Sequence, residues 1–160
     1  MYNKRYLKFY PKKNTLSLGF NILGSIVLCR FIFVVVIFIL YTSYISKLKK
    51  IPDDIVKICV MRYPSINCNK YNLKHFISLS PKDGILKKYK NDKNFTNFKE
   101  NFIKQILNDE EALKSLRIIA ELSKHCNICL ICCEKDFKFC HRSILSSIIY
   151  KLVGVECREF

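Results

Sequence analysis

The chain has no Trp, only four Gly and four Pro in 160 residues, and no Asp or Glu among its first fifty. Each shortage excludes something. Metal knuckles use Gly-bearing turns, and no Gly lies between positions 85 and 153, where most of the cysteines fall. Nine cysteines are an odd number, and several sit inside apolar runs, where a free thiol behaves as a small hydrophobe. The even, loop-borne framework of a small secreted disulfide domain is therefore missing, and the thiols read as reduced. No internal repeat is present. Lys, Asn, Ile, Phe and Tyr are abundant, as in an A/T-rich coding sequence, so single surface lysines carry little meaning.

The formal charge of +15 is uneven. Residues 1–50 hold nine Lys/Arg and no acid, and residues 51–160 hold nineteen against thirteen acids, which leaves +9 and +6. A nucleic-acid binder concentrates its basic excess on the folded face. Here much of the excess flanks a hydrophobic run, which fits charge beside a membrane at least as well.

That run covers residues 16–41, with Arg30 as its single charge. It is long enough for a membrane helix, which needs roughly 20 apolar residues. Its far end, through Tyr41-Thr42-Ser43-Tyr44, is β-branched and aromatic, as a fully buried parallel strand is. Residues 38–44 are assigned to a first strand. Residues 1–37 then form a basic, hydrophobic segment: a membrane anchor with the following domain inside the cell, or an extension translated from upstream of the true start, which leaves a cytoplasmic protein.

The remainder reads as one domain, 38–154, with a short tail at 155–160. Residues 55–61 form a second buried strand that ends at Arg62, in the position where α/β sheets place ligand groups. Residues 65–94 read as polar and irregular, and the lysines at 82, 87, 88, 90 and 93 as a solvated surface more than a phosphate-binding one. Phe95, Phe98, Phe102 and Ile106 form one helical stripe. Asn108 or Asp109 caps the next helix, whose buried face is Leu113, Leu116, Ile119 and Ala120. A third central strand spans 127–133, a polar turn 134–139, and a helix 141–153 ends at Gly154.

The chemistry-bearing stretch is this last unit. Cys126, Cys129, Cys132 and Cys133 have a spacing that holds metal in other contexts, with Cys140 or His141 as further ligands. Along a strand, however, Cys129 and Cys132 point to opposite faces, so core thiols and no metal are expected. No cofactor is indicated. Cys140-His141-Arg142 opens a helix, where the dipole and free N–H groups favour anions. Two readings stay open. Arg142, Arg62, Ser43 and Glu134 line a pocket for a phosphate- or carboxylate-bearing ligand or nucleotide, or Cys140 is a nucleophile with His141 as its base. A purely structural Glu134–Arg142 pair is the plain alternative to both.

Leu130-Ile-Cys-Cys-Glu134 followed by Cys140-His-Arg-Ser143 resembles the signature of the bacterial family catalogued as domain of unknown function 488. There, a strand ends in a Leu-Cys-x-Glu pattern and a Cys-His-Arg begins the next helix. Tyr41-Thr42-Ser43-Tyr44, Arg62-Tyr-Pro64 and Leu79-Ser-Pro81 match its other landmarks in order. The resemblance covers about residues 38–153 and implies a fold and a site position, not a reaction. Residues 1–37 depart from it, as does Met61, where some members carry an acid.

The fold expected is three-layer α/β, with a mostly parallel sheet centred on 38–44, 55–61 and 127–133 and helices on both faces. A small anionic ligand is the first partner expected. A membrane, through residues 16–41, and nucleic acid, through the lysine-rich segment 82–104, are the others.

Overall fold

A computed structural model describes residues 38–160 apart from positions 66, 67, 69 and 72. The expectations for residues 1–37, the membrane anchor and the cellular location that follows from it, lie outside the described residues. Among the described residues, no helix is long and apolar enough to cross a membrane.

Five parallel strands make one sheet: β1 Leu40–Tyr44, β2 Val56–Cys59, β3 Lys74–His75, β4 Ile128–Cys132 and β5 Cys157–Glu159, in the order β3-β2-β4-β1-β5. The central strand is the most apolar. All five residues of Ile128-Cys-Leu-Ile-Cys132 are buried, as a parallel strand covered on both faces requires. Its register aligns Leu40 and Val56 with Ile128, and Tyr44 with Cys132. The contest over residues 38–44 is therefore decided for a strand from Leu40 onward.

The α-helices that position the site are α1 Asp83–Asp92, α2 Phe95–Leu107, α3 Glu110–Ser123 and α4 His141–Val153. They cover one face. Phe98, Phe102 and Ile106 of α2, Leu116 and Ile119 of α3, and Ile144, Leu145 and Ile149 of α4 pack with Leu40, Ile58, Ile128 and Leu130. The opposite face carries Cys129 and Ile131. It is covered by Leu48 of a 3-10 helix, Ile45–Lys50, and by Ile51 and Ile55, with Tyr41, Tyr71, Leu73 and Phe160 at its margin. Both faces of the sheet are thus closed, the α-helices on one and shorter helical chain on the other.

The helix ends obey local chemistry. Asn94 Oδ1 accepts from the Asn97 N–H at 3.0 Å, and Asp109 Oδ1 from that of Ala112 at 3.1 Å. Of the two cap candidates for α3, Asp109 serves. Gly154 closes α4 with φ 72°, a left-handed conformation that costs Gly nothing.

Two expectations are corrected. Residues 65–94 are not simply irregular, because they supply β3, a 3-10 turn Ile77–Leu79 and α1. Helix α1 buries no residue fully and rests on the half-buried Ile85, Leu86 and Tyr89, so its apolar stripe is faint among lysines. The tail holds β5, which pairs Cys157 with Leu40 and Glu159 with Thr42. Three residues alternating with charge are too short to read as a strand. Docking on the edge of β1 decides their conformation.

Candidate functional site

All strands being parallel, their C-terminal ends share one edge of the sheet. The chain leaves β4 there, turns through residues 133–139, and re-enters at α4. Cys140 stands at the N-cap with extended backbone, φ −109° and ψ 147°, and its carbonyl accepts from the Ser143 N–H at 3.0 Å. Crevices outside strand ends are where open α/β sheets bind ligands.

Cys140, His141 and Arg142 are all buried, at 1 %, 5 % and 0 % exposure. His141 Nε2 lies 2.8 Å from the Val60 carbonyl oxygen. A carbonyl only accepts, so Nε2 carries the hydrogen, and the nitrogen on which a lone pair can fall is Nδ1. That Nδ1 lies 3.8 Å from Cys140 Sγ and 3.9 Å from Cys132 Sγ. Phe102 meets the ring edge to face at 5.6 Å and fixes its plane.

Arg142 Nε donates to Cys140 Sγ at 3.3 Å, and its Nη2 donates to the Glu134 backbone carbonyl at 2.6 Å. The Phe137 ring lies 6.0 Å from the guanidinium carbon. Nη1 is buried with no acceptor. Ser43, at the end of β1, also has a buried Oγ without a partner.

Sulfur collects around this point. Cys132 Sγ is 3.9 Å from Cys133 Sγ, and Cys68 Sγ donates to Cys59 Sγ at 3.5 Å. Cys59, Met61, Cys68, Cys132 and Cys140 pack as one cluster against Ile45 and Leu73. The thiols differ in acidity. Cys140 is held well below the usual range, to about 3, by the neighbouring Cys132 thiol and then by His141 and Arg142, against burial. Cys132 moves the other way, raised by the neighbouring thiols of Cys133 and Cys140 and by its own burial. Cys133 is lowered to about 7 by the same Cys132 donor. Burial pushes Cys129 and Cys59 up to about 12.

The residues expected at the site separate into two groups. Cys140, His141 and Arg142 come together. Glu134 takes part only through its backbone, since its carboxylate is exposed and forms no ion pair with Arg142. Arg62 pairs with another group: its Nε is 3.6 Å from Asp83 Oδ1, which also accepts from the Tyr63 hydroxyl at 2.7 Å. Among the described residues, no hydrogen bond or ion pair joins Arg62 to Arg142 or Cys140. Sequence reasoning had set Cys132 aside as core. It ends β4 two positions before Glu134, and that strand-end place is the signal that assigns it to the site. The Val60 carbonyl carries no signal in its side chain. Cys126, Cys129 and Cys132 do not gather, as the strand alternation implied. The ligating atoms of Cys132, Cys140 and His141 do, all within 4.8 Å of one another.

The model of the active DUF488-N3 subclade matches residues 40–152, well over half of the chain. The chain belongs to the DUF488 family. Comparison with curated proteins and with solved structures gives no match. The matched span runs from β1 to the last turn of α4. It therefore takes in the whole Cys132–Arg142 arrangement and excludes the N-terminal segment.

Proposed function

We propose that this DUF488 domain is a thiol enzyme in which Cys140 attacks, as a thiolate, an electrophilic substrate bearing or developing an anionic group. The observation that carries this is the burial of Arg142. A guanidinium removed from water needs an anion beside it. No carboxylate pairs with Arg142 among the described residues, and the group its Nε meets is Cys140 Sγ. A thiolate there neutralises the buried cation, and the helix N-terminus adds to the effect. The lowered pKa of Cys140 agrees.

The roles follow. Cys140 is the nucleophile. His141 Nδ1 accepts the thiol proton and returns it to the leaving group, with the ring held by the Val60 carbonyl. Arg142 stabilises the thiolate through Nε, and its unpartnered Nη1 is left for a substrate oxygen. In this reading a phosphate or carboxylate group of the substrate takes that last role, with Ser43 as a second candidate donor. Substrate reaches Cys140 past residues 133–139, most of which are exposed.

Iodoacetamide labelling of the reduced, chelator-treated chain tests the proposal, with peptide mapping to locate the adduct. Between pH 8 and pH 6 an ordinary thiol slows on the order of 100-fold. Cys140 should change by less than about twofold. A Cys140 that follows the ordinary profile, or that small alkylants never reach, ends this reading.

A further inference from the structure

We infer that Cys132, Cys140 and His141 form a binding site for a thiophilic divalent metal ion, with Zn2+ as the reference case. The inference goes beyond the nucleophilic reading and does not need it. It stands on the placement of three ligand atoms and on how one of them is oriented.

The ligand set is soft and mixed, two sulfurs and one imidazole nitrogen, the chemistry that zinc selects. Zinc–sulfur bonds of about 2.3 Å and zinc–nitrogen bonds of about 2.0 Å in a tetrahedron place S and N about 3.5 Å apart and two sulfurs about 3.8 Å apart. Here His141 Nδ1 lies 3.8 Å from Cys140 Sγ and 3.9 Å from Cys132 Sγ, and all three atoms fall within 4.8 Å. A contraction of a few tenths of an ångström between His141 and each thiol, and of no more than about 1 Å between the thiols, closes the triangle on an ion.

The second observation concerns His141 alone. A ligating histidine ordinarily donates its other ring N–H to a carboxylate or a backbone carbonyl, which fixes the tautomer and aims the ligating nitrogen. The Nε2–H of His141 does this with Val60 O at 2.8 Å, leaving the Nδ1 lone pair facing the two sulfurs. Arg142 Nε, already 3.3 Å from Cys140 Sγ, would remain as a donor to a metal-bound thiolate. Cys133 is the nearest further thiol, 3.9 Å from Cys132 Sγ and exposed, so a fourth ligand is within reach at the outer side. The ligands come from a strand end and a helix start and not from a Gly-bearing knuckle, which is why spacing alone argued against a site. Each thiol that ligates releases its proton to solvent. An ion held here occupies the Cys140 sulfur and silences it as a nucleophile.

The experiment uses the full chain, reduced and stripped with a chelator, and Co2+ as the probe. The expected result is one equivalent of Co2+ with the absorption of a tetrahedral thiolate site, displaced by Zn2+. Cys132→Ser should abolish that spectrum, its fold being checked by circular dichroism, with Cys132→Ala as the second variant should the serine unfold. On the unmutated chain, one equivalent of Zn2+ should slow alkylation of Cys140 at least about tenfold. An octahedral, thiolate-free Co2+ spectrum, or an unchanged tetrahedral one in a folded Cys132 variant, overturns the inference. So does a Cys140 alkylated at the same rate with and without Zn2+. If Cys140 proves unreactive without metal, the proposed function falls, and the Co2+ spectrum still decides the metal site by itself.

Discussion

The Nε of Arg142 lies 3.3 Å from the Sγ of Cys140, two positions earlier, and neither side chain is exposed beyond 1 %. That contact ties a fixed positive charge to a titratable sulfur in the buried interior. It explains why an arginine can be buried at all here, and it makes the pair the natural target for mutation.

Arg142→Met keeps the bulk and removes the charge. The Cys140 pKa should rise, with Cys132 and His141 still lowering it, and alkylation should fall more between pH 8 and pH 6 than in the parent chain. The tie to the Glu134 carbonyl is lost as well. Urea unfolding should show a loss of about 1.5–3 kcal/mol, the range for a hydrogen bond to a charged group. An unaltered labelling profile would show that the guanidinium does not set the acidity of Cys140.

Asp83→Asn releases Arg62 from its partner without touching the buried cluster. The pair is partly exposed, so stability should change by less than about 1 kcal/mol. The labelling profile of Cys140 should be unchanged, because no hydrogen bond or ion pair joins Arg62 to it among the described residues. A shifted profile would restore Arg62 to the site.

Ser43→Ala removes a buried hydroxyl that has no partner. The loss of an unsatisfied polar group is neutral or favourable, and the midpoint of urea unfolding should hold or rise by up to about 1 kcal/mol. A clear destabilisation would mean that the hydroxyl bonds within the folded protein.

Alkali should unfold the domain early. The Cys129 thiol is raised by burial from 9.0 to about 12. Between those values the unfolded chain has lost this proton and the folded chain keeps it. Unfolding then releases protons, and stability falls as pH rises. Below pH 9 both states hold the proton and the contribution is constant. Urea midpoints measured from pH 8 to pH 11 check the sign. In Cys129→Ala the downward slope above pH 9 should be shallower.

The sequence alone determined the three central strands, because a run such as Ile128-Cys-Leu-Ile-Cys132 has nowhere to go but between two layers. It also determined the helices after them, because Phe98, Phe102 and Ile106 share a stripe and Asp109 and Gly154 mark the ends. The Cys-His-Arg start of α4 was legible too, since local chemistry and the landmark pattern both lie along the chain. Tertiary structure decided what those residues meet. Whether Arg62 faces Arg142 or Asp83 depends on where α1 docks, and the lysine-rich α1 has too faint a stripe to say. Whether Cys132 is core or ligand depends on how far the 133–139 turn brings α4 back toward the end of β4. The Val60 carbonyl that aims His141 is a backbone atom, identical in every residue, so no side-chain pattern could have announced it. Distances across a sheet edge are set by packing between segments remote in sequence, and they exist only once the chain has folded.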